Sequence, residues 1–149
     1  MLKFDQSLGY QVSNCHDKYP LLFIAARRGH VDFARKLLEY CPDAPYANSK
    51  GRTCLHEAVD HNRDKFVEFI LEESKLWKLI NMQDEKGHTA LHLAVAKCNP
   101  KIVGALLGHP RTDINVINSD NCAAIWRLNE SKDDAKTIAW VRMLSSDLV

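Results

Sequence analysis

No stretch of this chain stays apolar for long. The longest run, Leu21 to Ala26, falls far short of the ~18 residues that a membrane-spanning helix needs. Asp5 interrupts the start of the chain, so no signal peptide is expected from these residues. Charge of one sign is lacking too: 20 Lys plus Arg stand against 19 Asp plus Glu, a net +1, which gives no long-range pull on nucleic acid or acidic lipid. The six glycines never cluster, so there is no phosphate-cradling loop and no nucleotide fingerprint. Cys15, Cys41, Cys54, Cys98 and Cys122 are an odd number without a C-x-x-C pair, the usage of reduced thiols in an intracellular protein. His16, His30, His61, His88 and His109 are scattered, and none pairs with cysteines at zinc-finger spacing. No metal, cofactor or small-molecule substrate is expected, and no catalytic constellation points to an enzyme. What is present is 149 residues at 46% hydrophobic content, enough for a packed core. Function must then come from shape and local patches.

The chain repeats itself. Gly87-His88-Thr89-Ala90-Leu91-His92-Leu93-Ala94 nearly copies Gly51-Arg52-Thr53-Cys54-Leu55-His56-Glu57-Ala58, 36 residues earlier (89 − 53). Looser copies begin at Pro20 and Ala123. Phe33-Ala34 with Leu37-Leu38, Phe66-Val67 with Ile70-Leu71, and Ile102-Val103 with Leu106-Leu107 recur at one phase in the second half of each unit. A period near 33 carrying T-x-L-H-x-A resembles the ankyrin pattern. The resemblance implies an all-α solenoid of stacked helix-turn-helix units with hairpin-like loops.

On that pattern, residues 1–149 form one ankyrin-repeat domain: 1–18 the tail of a truncated repeat, 19–50 repeat one, 51–86 repeat two, 87–120 repeat three, and 121–149 a degenerate C-terminal cap. Leu2 to Tyr10 aligns with Leu38 to Tyr46, so the chain opens inside a repeat, as an excised fragment or a shortened gene product would. Gly29 is expected to end the first helix in the left-handed region and Gly108 to help end the sixth. Phe33, Ala34, Leu37 and Leu38 are expected to face inward, and Trp77 and Ile80 to fold back over the outer helices. A final helix over about 132–144 would close the stack with one apolar and one wet face.

The recurrence of His56 and His92 admits two readings: metal or acid–base chemistry, or structure. The ankyrin resemblance implies the second, with each histidine joining neighbouring repeats through the backbone and the nearby Thr53 or Thr89. Cys54 sits at a helix start, where the dipole lowers a thiol pKa. It and Cys98 are nevertheless expected to be small packing residues. Positions where the repeats disagree are the family's usual contact positions: Ile24, Arg27 and Arg28; Ser49, Lys50, Arg52, Glu57, Asp60 and His61; Glu85, Lys86, His88, Leu93, Ala96 and Lys97; Ser119, Asp120, Cys122 and Arg127. Cations outnumber anions on this strip, which favours an acidic or mixed-charge protein partner on the concave loop and inner-helix face. The apolar first helix also predicts self-association through the N-terminal edge, unless Leu2, Phe4, Leu8 and Tyr10 cover it.

Cys41-Pro42-Asp43-Ala44, Leu79 to Asp84, Gly87 to Val95, and Ile114-Asn115 with Asn118 together resemble plant ankyrin proteins of the accelerated-cell-death type. That resemblance implies a cytoplasmic, protein-binding array in plant defence and cell-death signalling, a possible target of a pathogen effector, held at a membrane by a domain opening with Pro-Gly-Gly. Neither that motif nor a membrane span occurs in this sequence. A different reading makes the array an assembly or gating segment that multimerises a membrane-tethered complex or channel.

Overall fold

The computed structural model describes residues 20–126. The expectations for 1–18, for Arg127 and for the helix over 132–144 lie outside them. Among the described residues, three helix pairs are complete: α1 Leu21–Arg28 and α2 Val31–Tyr40, α3 Cys54–Asp60 and α4 Asp64–Glu72, α5 Ala90–Ala96 and α6 Pro100–Gly108, with a 3-10 helix over Ser74–Leu79. The inner helices stack α1 on α3 on α5, and the outer helices stack α2 on α4 on α6. Among the described residues the extended chain forms only isolated bridges, Ala47 with Thr53 and Ile117 with Ala123. The architecture is an all-α solenoid.

The inner helices are short because each is stopped by a residue with positive φ, at Gly29 (75°), Asn62 (55°) and Cys98 (54°). The residue after each stop then donates its amide back to a carbonyl of the helix: His30 to Ala25, Arg63 to Ala58 and Asn99 to Ala94. Small residues at these helices' buried positions, Ala25, Ala26, Ala58, Ala90 and Ala94, let the pairs approach closely. Leu22, Leu37, Leu55, Val59, Phe66, Ile70, Ile102 and Leu106 fill the core between layers. Burying each of these larger side chains contributes about 1.5–3 kcal/mol.

Several expectations need correction. On α2, Ala34 and Leu37 are buried, but Phe33 is 41% exposed and Leu38 only half-buried, because a ten-residue outer helix presents just one narrow stripe to its inner partner. α6 ends at Gly108 as expected, but its cap, His109, has extended rather than left-handed backbone (φ −84°, ψ 129°). Cys98 is no packing residue, for its side chain is exposed at the turn. The extra residues of repeat two become the 3-10 helix, whose Leu76 and Leu79 are buried. Trp77 lies over the outer layer there, its indole Nε1 donating to the Leu71 carbonyl at 2.7 Å and its ring edge-on to His109. Ile80 is 1% exposed.

Candidate functional site

Three hairpin tips project from the stack with one internal design. Asn48, Asp84 and Asn118 each accept, through Oδ1, the amides two and four residues on: Lys50 and Arg52, Lys86 and His88, Asp120 and Cys122. A short side chain that fixes its own turn is what Asn and Asp do best. Gly51 and Gly87 then take φ of 72° and 74°, and Asn121, standing where the other repeats have glycine, takes 61°. Consecutive tips are laced together, since the Glu85 amide donates to the Lys50 carbonyl and the Ser119 amide to the Lys86 carbonyl, both at 3.0 Å. The tips therefore form one continuous edge.

Beneath the tips lie the repeat histidines. Thr53 caps α3, its Oγ1 accepting the His56 amide, while the Thr53 amide donates back to His56 Nδ1 at 3.1 Å. With Nδ1 accepting, Nε2 carries the proton and donates to the His88 carbonyl of the next tip at 2.8 Å. Thr89 and His92 repeat the arrangement, and His92 Nε2 reaches the Cys122 carbonyl at 3.0 Å. Burial holds the His56 pKa below the ordinary imidazole value, although the His88 carbonyl and Asp84 oppose the shift. A ring whose two nitrogens are both engaged this way has no lone pair left for a metal.

Repeat one has Phe23 at the histidine position, 1% exposed, and joins repeat two differently. Arg27 Nε donates to Glu57 Oε1 at 3.1 Å, and Arg63 Nε donates to the Arg27 carbonyl at 3.0 Å. Glu57 is the centre of a charge network across three repeats. It also accepts Arg52 Nε at 3.3 Å and lies 3.0 Å from His61 Nε2, while Arg52 Nη2 reaches Asp60 at 2.7 Å and Lys97 Nζ reaches Asp60 at 3.1 Å. Partial burial works to raise the Asp60 pKa, but the Lys97 hydrogen bond and the charges of Arg52, Lys97 and His61 outweigh it and hold the carboxyl below its usual value.

This network divides the expected contact strip. Glu57 is only 3% exposed, so it is not presented to a partner; it orients the cations around it. Arg27 and Lys97 reach from the neighbouring repeats to Glu57 and Asp60 of repeat two, and Arg52 pairs with Asp60 within it. Arg28, Lys50, Glu85 and Lys86 are exposed, and none of the four joins an ion pair among the described residues. Ile24, His88 and Leu93 are half-buried, and His61 is exposed. Glu57, Asp60 and His61 together offer three ligand atoms within 4.8 Å of one another, a grouping the sequence pattern hid because it looks only like a helix end. Arg27, Arg52 and Lys97 already supply the positive charge that a metal ion would bring there. The Cys54 thiol is pushed up to about 12 by complete burial, which outweighs the helix-start amides that work to lower it. This corrects the expectation from the dipole alone. Among the described residues no helix is long and apolar enough to cross a membrane.

Residues 4–80 match the family model for ankyrin repeats in three copies, and residues 86–119 match the single ankyrin repeat. Human ankyrin repeat and SOCS box protein 3 is similar at 34% identity over 84 residues, 56% of this chain and 16% of that protein. The putative E3 ubiquitin-protein ligase XBAT31 of Arabidopsis thaliana is 33% identical over 104 residues, 63% of this chain and 23% of its own length. Protein VAPYRIN of Medicago truncatula is 39% identical over 71 residues, 46% of this chain and 13% of its own length. The chain thus spans less than a quarter of each of these curated relatives. With most of its length under those models and its helix pairs laced tip to tip, the chain belongs to the ankyrin-repeat family, whose repeats are protein–protein interaction modules.

Proposed function

We propose that this chain is a cytoplasmic, non-catalytic docking module of plant defence and cell-death signalling, with a partner seated along the hairpin tips and the inner-helix face. The supporting observation is the distribution of charge. Three cations of the strip, Arg27, Arg52 and Lys97, are paired with Glu57 and Asp60, while Arg28, Lys50 and Lys86 stay exposed along one edge without an ion pair among the described residues, with Glu85 as the anion beside them. An acidic or mixed-charge partner fits that edge. Plant relatives such as XBAT31 and VAPYRIN support a plant context, and the motif resemblance supports the defence role and a pathogen effector as a competing ligand. Pairing of two chains through the N-terminal edge has less to draw on, because Leu22 and Phe23 are each 1% exposed.

The test is capture of the native partner from plant tissue by the wild-type chain and by the triple variant Arg28→Glu, Lys50→Glu, Lys86→Glu. Arg52 is left alone because it holds Glu57 and Asp60. Exposed pairs contribute about 0–1 kcal/mol each, so the triple variant should bind up to ~100-fold more weakly at low salt with its melting temperature nearly unchanged. Full-strength binding by this variant, with loss on changing Lys36 and Glu68 of the outer helices, would place the docking face on the other side.

A further inference from the structure

Between the tips of repeats two and three the concave edge opens into a trough of about 340 Å3, bordered by Lys50, Glu85 and Lys86 with Leu93 in its wall. Its other charges are committed: Arg52 to Glu57 and Asp60, and Asp84 Oδ1 to the Lys86 and His88 amides. The two lysine ammoniums against one glutamate are what a ligand meets. Leu93 is shared with a smaller notch of about 40 Å3, which Ala96 and Ala124 line between repeats three and four. That notch, which His88, His92 and Asn118 also border, is small enough to take only the tip of a side chain. Charge and apolar surface thus lie side by side.

An extended backbone can bring a charged and an apolar side chain to the trough together. An extended segment rises about 3.3 Å per residue and sends residues i and i+2 to the same side, roughly 7 Å apart. We propose that this trough takes an extended segment of a protein partner bearing an acidic side chain two residues from an apolar one, the carboxylate between Lys50 and Lys86 and the apolar side chain against Leu93. Glu85 sets the limit on charge, since a second adjacent acid meets it and is repelled. The proposal rests on the concave docking face, and it adds the chemistry and conformation of the ligand.

Panning a library of random twelve-residue peptides on the whole chain, followed by fluorescence anisotropy with the enriched peptides, tests it. Enriched sequences should carry Asp or Glu two residues from Leu, Ile, Phe or Met. Lys50→Glu with Lys86→Glu should weaken them at least tenfold, and Leu93→Ala at least threefold. Circular dichroism of the lysine variant should match wild type, because both side chains are exposed. The proposal is overturned by an absence of enrichment, by a basic consensus, by acids spaced for a helix, or by peptides that bind the lysine variant equally well. If panning fails while the Arg28, Lys50, Lys86 variant still loses the native partner, the docking face stands and only the extended acidic segment falls. If panning fails and that capture is unchanged, both fall.

Discussion

Replacing His56 with alanine separates a structural histidine from a chemical one, and its cost can be worked from the contacts. The ring accepts the Thr53 amide at 3.1 Å and donates to the His88 carbonyl at 2.8 Å. The carbonyl keeps a second donor, the Asp84 amide at 3.0 Å, so the substitution leaves one buried orphan, the Thr53 N–H. An unsatisfied buried donor costs about 1–3 kcal/mol. His56 is also 0% exposed, and the partly collapsed space left by a buried ring adds roughly 1–2 kcal/mol. The sum, about 3 kcal/mol, should lower the melting temperature by roughly 6–12 °C in a chain of this length. The pH dependence supplies a second readout. Burial lowers the His56 pKa, so below about pH 6.5 the unfolded chain binds the proton and the folded chain resists it. The stability supplied by neutral His56 is therefore complete above that pH and is lost as pH falls towards the depressed folded value. The difference between wild type and His56→Ala should accordingly shrink between about pH 7.5 and pH 5.5. A variant that melts within about 1 °C of wild type, or a difference that grows on acidification, would refute the assignment of Nδ1 as acceptor and Nε2 as donor.

Gly87→Ala should cost at least ~2 kcal/mol, because its added Cβ would meet the Ser119 amide at 2.9 Å and the positive φ adds its own penalty. Gly51→Ala, whose nearest contact is 3.4 Å, should cost only about 1 kcal/mol; equal losses in urea melts would mean the tips are not laced as described. Cys98→Gly should stabilise by about 0.5–1 kcal/mol by relieving φ +54° at an exposed turn, and denaturant midpoints check it. Iodoacetamide at mildly alkaline pH should modify exposed Cys98 and leave Cys54, whose thiol is pushed up to about 12, untouched in the folded chain. Mass spectrometry showing Cys54 labelled first would contradict its burial.

The repeat, the helix pairs and the capping threonines were legible because they rest on local rules. Thr53 and His56 stand three residues apart at a helix start whatever the rest of the chain does, and a near-copy 36 residues later (89 − 53) marks the same device. The left-handed stop at Gly29 was likewise visible, whereas the same stop at Cys98 was not, since a cysteine there reads as a small packing residue. Glu57 was not. Its place in a variable column made it look like a contact residue, yet stacking brings Arg27 from one repeat and Arg52 from its own tip onto one buried carboxylate. The same stacking ties Lys97 to Asp60 across 37 positions (97 − 60). Phe33 failed in the other direction, since an apolar period gives a helix's phase but not how wide a stripe its neighbour covers. By itself, then, the sequence determined the repeating unit and its caps, which depend on residues within one turn of each other. Only the tertiary structure decided which charges of the concave strip are consumed between repeats and which remain for a partner, because those pairings join residues about one repeat apart.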